Sequence, residues 1–238
     1  MSLLTLAIDV GGSSIKAIIL RDDGTKVAER SHFATPHPAT PDAIIAALID
    51  LISIYGEYDR IAMGFPSVVE NGVTRGAINL HADWDGFPLA KVLRDKLSKP
   101  IRIANDADVQ GCGAIAGSGV ELVITLGTGL GSALFLDGKL LPNLEIGQHI
   151  WCDRDTYEDR LGQAALDCIG IEDWNARLLE AIASLYKLFN YDKLYIGGGN
   201  SRLVSVKLPE NLCNKVVIVS NDLGLIGGLA LWKYSAQF

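Results

Sequence analysis

The chain has 238 residues, 49% of them hydrophobic, and a formal net charge of −7. That length buries a substantial core as one large domain or two small ones without staples, and the acidic balance argues against a nucleic-acid surface as its main business, leaving room for a local basic patch inside a cleft. No basic stretch precedes an apolar run at the N-terminus and no apolar run approaches about 18 residues, so a cytoplasmic protein with no membrane partner is expected. Cys112, Cys152, Cys168 and Cys213 form no CxxC and have no close His at metal-ligand spacing, so buried free thiols are expected.

Residues 3–10 and 15–20 are apolar and rich in β-branched side chains, and the Gly-Gly-Ser-Ser between them reads as a turn joining two antiparallel strands. Asp23-Gly24 predicts a second hairpin and a third strand over 25–30. Thr40 as cap, Pro41 just inside and apolar Ile44, Ala47, Leu48, Leu51 and Ile52 predict a helix that ends at Gly56. A short buried strand over 60–66, a helix closed by Pro100 and a strand ending on Asn105-Asp106 follow, then a small-residue helix over 108–118. The opening pattern then returns: strand, Gly127-Thr128-Gly129-Leu130-Gly131, strand, Asp137-Gly138, strand. Residues 156–190 read as mainly helical. Strands over 193–197 and 215–220 and a terminal helix over 224–235 complete the chain. A β-meander followed by alternating helices and strands, occurring twice, predicts an α/β duplication with a cleft between halves.

Glycine and hydroxyl residues in a tight turn leave backbone N–H groups exposed and let an anion approach without interference from Cβ. Both repeated turns have that composition, whereas the GxxxxGK pattern of phosphate-loop NTPases is absent. A plain hairpin explains either turn taken singly; their repetition favours a nucleotide or polyphosphate cleft. Asp9, just before the first turn, is placed to hold a divalent cation, and Lys16, after it, to balance phosphate charge. Asn105 and Asp106 stand where a strand gives way to a helix. They fit two readings, a helix cap or the carboxylate and amide that phosphoryl transfer to an alcohol needs. Trp84 fits either a sugar platform or a loop aromatic packed on a helix. Glu145, Gln148 and His149 fit either a sugar-binding turn or an exposed one, and Gly197-Gly198-Gly199-Asn200 either a surface for a base and ribose or a simple turn.

These stretches in this order, "DVGGSSIK", "GFPSVVENGVTRGAINLHADWDGFPL", "IANDAD", "TLGTGLGSALFLDGKLLPNLEIG" and "IGGGNS", resemble the ROK family of sugar kinases, and within it the polyphosphate glucokinase branch. The resemblance covers nearly the whole chain. It implies a ribonuclease H-like, actin-like ATPase fold of two lobes with a central cleft. Residues 1–106 plus 221–238 would make a small N-terminal lobe and 107–220 a large C-terminal lobe. It also implies Asp106 as catalytic base, Asn79, Asn105, Glu145 and Gln148 as hexose ligands, and Asp9, Gly11, Gly12, Ser13 and Lys16 as the first phosphate region. Gly127, Thr128 and Gly129 would form the second, with Gly198 and Gly199 against adenosine. Mg²⁺ at Asp9, ATP or polyphosphate as donor, a hexose accepting phosphate on its 6-hydroxyl and a homodimer are implied as well.

Two departures from the family pattern stand out. Gln148 replaces the histidine of Glu-x-Gly-His, with His149 one place later, and a glutamine cannot become cationic. The cysteine cluster for a structural zinc is absent, so something else must order the sugar-binding loop. Two other classes share parts of the pattern. A non-catalytic hexose sensor would have no need of Asp106, and an actin-like or chaperone-type ATPase would have no need of the hexose ligands.

Overall fold

The computed structural model describes residues 2–76, 80–220 and 222–233. The chain divides into two compact units, Met1–Gly113 with Asp222–Phe238, and Ala114–Asn221. The division expected at residue 106 thus falls later, and the first unit is the longer. Packing explains the shift: a Cβ on Gly113 would lie 2.7 Å from the Leu223 carbonyl oxygen, and one on Gly227 would lie 1.8 Å from that of Val109. The helix carrying Val109 and Gly113 therefore lies directly against the C-terminal segment, which bare glycine backbones permit.

In the first unit, β1 (Leu4–Val10), β2 (Ser14–Arg21) and β3 (Ser31–Ala34) form a meander, α1 spans Pro41–Ser53, and β4 spans Arg60–Phe65. A hairpin of β5 (Val68–Glu70) and β6 (Val73–Arg75), α2 (Leu89–Leu97), β7 (Ile101–Asn105) and α3 (Asp106–Ala114) follow. The sheet order is β3-β2-β1-β4-β7, with β2 antiparallel to both neighbours and β4 and β7 parallel to β1. β1 is central and covered on both faces, so its sequence is apolar almost throughout. On one face Leu6, Ile8, Ile61 and Met63 pack with Ile44, Leu48 and Leu51 of α1 and Leu89 and Leu93 of α2. The other face is lined with small residues. A Cβ on Gly228 would meet the Ala62 Cβ at 3.1 Å and the Ala7 Cβ at 3.5 Å, and Leu231 packs with Ala62, Ala104 and Val109. Trp232 is clasped between the guanidiniums of Arg60 and Arg102, 4.9 and 4.7 Å from its ring. The expected terminal helix forms over 223–233 as two single turns, Leu223–Ile226 and Ala230–Lys233, joined by a 3-10 turn at Gly227–Leu229, and its last two expected positions, 234 and 235, lie outside the described residues.

The third strand forms at Ser31–Ala34 rather than at 25–30. The stretch 25–30 joins β2 through the Leu20–Lys26 bridge and a Val27 N–H to Ile19 bond. It offers little apolar area to bury, whereas Phe33 of β3 packs on the main core. The β5–β6 hairpin, missing from the sequence expectation, turns on Asn71-Gly72, both at positive φ (51° and 78°), the combination that two-residue hairpins favour.

The second unit repeats the scheme with β8 (Val120–Leu126), β9 (Leu130–Leu136), β10 (Lys139–Leu141), a small hairpin of β11 (Ile150–Cys152) and β12 (Asp155–Thr156), α4 (Tyr157–Leu161), α5 (Gln163–Phe189), β13 (Lys193–Gly197) and β14 (Val216–Ile218). Its sheet order is β10-β9-β8-β13-β14, with the same pattern of antiparallel and parallel neighbours. Both sheets thus read 3-2-1-4-5, the expected actin-like ATPase arrangement. α5 is interrupted at Gly170 (φ 80°, ψ 169°). α3 stops at Ala114 rather than Ser118, because the buried Glu121 carboxylate accepts the N–H groups of Ala116, Gly117 and Ser118 at 2.7, 2.7 and 3.0 Å. The Tyr195 hydroxyl donates to the same carboxylate, and burial, aided by that partner, pushes the tyrosine up to about 12.

All four cysteines are free, but the expected burial does not hold. Cys168 and Cys213 are exposed, and Cys112 and Cys152 are partly buried. Burial and the neighbouring Asp108 push the Cys112 thiol up to about 12, which keeps it protonated and unreactive.

Candidate active site

The break in the opening strand is a closed turn. The Gly11 N–H donates to the Ser14 carbonyl at 3.0 Å, and a Cβ on Gly11 would crowd that oxygen at 3.1 Å. Thr35, just past β3 and 3% exposed, grips the turn twice: its hydroxyl donates to the Gly11 carbonyl at 2.6 Å and its N–H to that of Ser13 at 3.1 Å. Among the described residues, nothing accepts from the N–H groups of Gly12 and Ser13.

Asp9 and Lys16 face each other in the β1–β2 register, with Nζ 3.5 Å from Oδ2. The Asp9 carboxyl is 17% exposed. Burial pushes its pKa up, against the pull of the Lys16 ammonium. Gly224 of the C-terminal segment closes over it, since a Cβ there would lie 3.5 Å from the Asp9 Cγ.

Across β1, Asp9 pairs with Gly64 of β4, and a Cβ on Gly64 would lie 3.3 Å from the Asp106 Cα. A bare glycine thus separates the two candidate carboxylates. Asp106 opens α3 at the end of β7, where its Oδ1 accepts the Ala107 N–H at 2.8 Å. Asn105 is a helix cap: its Oδ1 accepts from Ala107 and Asp108 at 2.9 and 3.3 Å, while its amide donates to the Ser67 carbonyl at 3.2 Å. This cap fixes the direction in which Asp106 leaves the sheet. Asn79 lies outside the described residues.

In the second unit, the turn between β8 and β9 is built from three sides. The Gly127 N–H donates to the Gly129 carbonyl at 3.1 Å, and the Gln163 N–H donates to that of Thr128 at 3.1 Å. Asn200 donates its amide to the Gly127 carbonyl at 3.4 Å and to the Gln163 Oε1 at 2.9 Å. Gly198 adopts φ +84°, and a Cβ there would lie 2.3 Å from the Leu126 carbonyl oxygen, so the triple-glycine turn rests directly on the end of β8. Thr128 and Gly199 are exposed. Nothing among the described residues accepts from the N–H groups of Thr128 and Gly129.

Glu145 precedes a 3-10 turn at Ile146–Gln148 that hangs from Ser132, whose Oγ accepts the Ile146 N–H at 3.0 Å and donates to the Leu144 carbonyl at 2.5 Å. Glu145 is exposed over its surface as a whole, yet its carboxyl is partly desolvated. That desolvation and repulsion from Glu158 push its pKa up. Glu158 is a residue the sequence reading missed. Its Oε2 accepts the Leu130 N–H at 3.0 Å, and a Cβ on Gly147 would lie 3.7 Å from the same oxygen. Gln148 is half-buried and His149 exposed.

The β11–β12 hairpin and α4 brace this turn. Trp151 stacks on Tyr157 at 4.8 Å, Arg160 lies 5.4 Å over Trp151, and Thr156 and Asp159 form a capping box. Trp84, by contrast, belongs to the core of the first unit. It is fully buried, donates to the Ala39 carbonyl at 2.8 Å and packs against Phe65 and Phe87. Among the described residues no group of three or more His, Cys, Asp or Glu forms a metal cluster, and no helix is long and apolar enough to cross a membrane.

Comparison with known proteins places these features in a family. The model of the ROK family matches residues 5–149. The polyphosphate glucokinase of Mycobacterium leprae is 31% identical over 92% of this chain and 72% of its own length. The inorganic polyphosphate/ATP-glucomannokinase of Arthrobacter sp. strain KM superimposes with a TM-score of 0.84 at 28% identity, over 96% of this chain and 97% of the other. A ROK family glucokinase from Streptomyces griseus, solved with glucose and AMPPNP, shares the fold with a TM-score of 0.76 at 21% identity, over 96% and 98%.

Proposed function

The chain belongs to the ROK family, and from that premise we propose that it is a sugar kinase, moving a phosphoryl group from ATP or inorganic polyphosphate to the 6-hydroxyl of glucose or a related hexose. The observation that carries the reading is the pair of Gly-rich turns, one at the same place in each repeated sheet, both with N–H groups that no described residue uses. Such N–H groups suit the oxygens of a phosphate chain. Similarity to kinases named for polyphosphate and for both donors supports the donor class.

In the proposed reaction the sugar oxygen attacks the terminal phosphorus and gives its proton to Asp106. The new O–P bond forms as the bond to the leaving oxygen breaks, releasing ADP or a polyphosphate one unit shorter. The N–H groups of Gly12, Ser13, Thr128 and Gly129 hold the donor's oxygens and offset the charge they carry. Asn105 fixes the approach of Asp106. Glu145 and Gln148, with Asn79 as a further candidate, bind sugar hydroxyls; Gly198 and Gly199 offer bare backbone to adenosine. Mg²⁺ asks for one or two carboxylates, with phosphate oxygens and waters completing its shell. Asp9, a single carboxylate beside the first turn, fits that requirement, and the ion would neutralise donor charge there.

A coupled assay crossing glucose, mannose and N-acetylhexosamines with ATP and polyphosphate tests the reading. Sugar phosphate formed with at least one pair supports it. Hydrolysis of ATP indifferent to sugar, or hexose binding without turnover on either donor, rejects it.

A further inference from the structure

The four N–H groups that meet no acceptor among the described residues raise a question of aim. In a trans peptide the C=O of one residue and the N–H of the next point in opposite directions across one rigid plane. A bond that holds the carbonyl therefore also sets the N–H. Glycine-rich turns need such a hold, because peptide planes flanking glycine rotate at little cost, and a reversed plane would turn a carbonyl dipole toward an anion.

Three of the four planes are held in this way. The Thr35 hydroxyl, 2.6 Å from the Gly11 oxygen, fixes the 11–12 peptide and so the Gly12 N–H. The Asn200 amide, 3.4 Å from the Gly127 oxygen, fixes the 127–128 peptide and the Thr128 N–H. The Gln163 backbone N–H, 3.1 Å from the Thr128 oxygen, fixes the 128–129 peptide and the Gly129 N–H. Asn200 in turn bonds the Gln163 side chain at 2.9 Å, which links the last two ties.

We infer that Thr35 and Asn200 are positioning residues for the phosphoryl donor, acting from behind each turn by tying back the carbonyls whose partner N–H groups receive its phosphates. This rests on the kinase reading only in naming the ligand as a polyphosphate chain. Both side chains are largely buried, at 3% and 7% exposure, and neither needs to touch donor or sugar. The short, buried Thr35 bond should matter more than the long Asn200 one.

The test separates donor from sugar in the full-length chain. Thr35→Val keeps the shape and removes the hydroxyl; Thr35→Ser restores the hydroxyl. Binding of AMPPNP and of tripolyphosphate is measured by calorimetry, and the KM for donor and for hexose by the coupled assay. Thr35→Val should weaken both donors about tenfold while the hexose KM stays within about twofold. Thr35→Ser should bind as the native chain does, and Asn200→Ala should show the same donor-selective loss, at about three-fold. Unchanged donor binding in Thr35→Val, equal loss for donor and hexose, or failure of serine to rescue would overturn the inference. Binding of neither probe by the native chain would overturn it too. Donor binding without transfer to any hexose would instead reject the kinase reading and leave this one standing on the calorimetry.

Discussion

Gly198→Ala tests whether the triple-glycine turn is held by steric necessity. The residue sits at φ +84°, and an added Cβ would meet three backbone atoms of Leu126, at 2.3, 2.5 and 2.8 Å. An L-residue in the left-handed region costs about 1–2 kcal/mol. Moving the Leu126 oxygen from 2.3 Å to ordinary contact requires a shift of about 1 Å, and such overpacking costs about 1–3 kcal/mol. The sum, about 2–5 kcal/mol, is a large share of the ~5–15 kcal/mol that stabilises most domains. It should lower the melting temperature by on the order of 10 °C. Because Leu126 immediately precedes Gly127, the same shift should also raise the donor KM. Gly199→Ala is the control: no heavy atom lies within 4 Å of its added Cβ and its φ is outside the left-handed region, so stability should change by less than about 0.5 kcal/mol. Thermal unfolding of the two variants side by side decides the matter. A Gly198→Ala protein that melts with Gly199→Ala would refute the steric argument.

Three other outcomes follow from the candidate site. Asp106→Asn should lower turnover by about 10²–10⁴-fold with hexose affinity retained, since the asparagine oxygen can still accept the Ala107 N–H; near-normal turnover in the coupled assay would remove Asp106 from its role. Glu145 is raised by desolvation and by Glu158, and in the proposed reaction its ionised form is the one that would accept sugar hydroxyls. Hexose affinity should therefore be full well above that raised pKa and fall as pH drops through it, at a higher pH than for an ordinary carboxylate. Calorimetric titration across pH 4–8 should show this dependence flattened in Glu145→Gln. Asp9 is also raised, meaning that the folded chain holds its proton more tightly than the unfolded one. Ionised Asp9 then costs stability at neutral pH, a cost relieved as pH falls through the raised value. Asp9→Asn should melt higher at pH 7 while losing donor use, and a lower melting point would contradict the sign.

Local pattern was enough for much of this. The apolar run of β1, the Thr40-Pro41 start of α1, the Asp23-Gly24 turn and the recurrence of a glycine-rich turn after a strand each express a preference that a few neighbouring residues settle among themselves. The same holds for Asn105, whose capping role follows from its position at a strand-to-helix junction. The sequence reading went astray where the deciding partner is distant. The third strand formed at 31–34 because Phe33 reaches the core, and α3 stopped early because Glu121 captures the N–H groups of Ala116, Gly117 and Ser118.

Glu158, Thr35 and Asn200 mark the same limit within the candidate site. None is a sequence neighbour of the turn it holds, and each reaches that turn only after the sheet has formed: Glu158 to Leu130 across 28 positions, Thr35 to Gly11 across 24 and Asn200 to Gly127 across 73. What the residue order determined was where the backbone is bare enough to meet an anion, since that depends on missing Cβ atoms. The direction in which three of the four N–H groups point was decided by tertiary structure, because a peptide plane is set by whatever holds its carbonyl, and there the holder comes from another part of the chain.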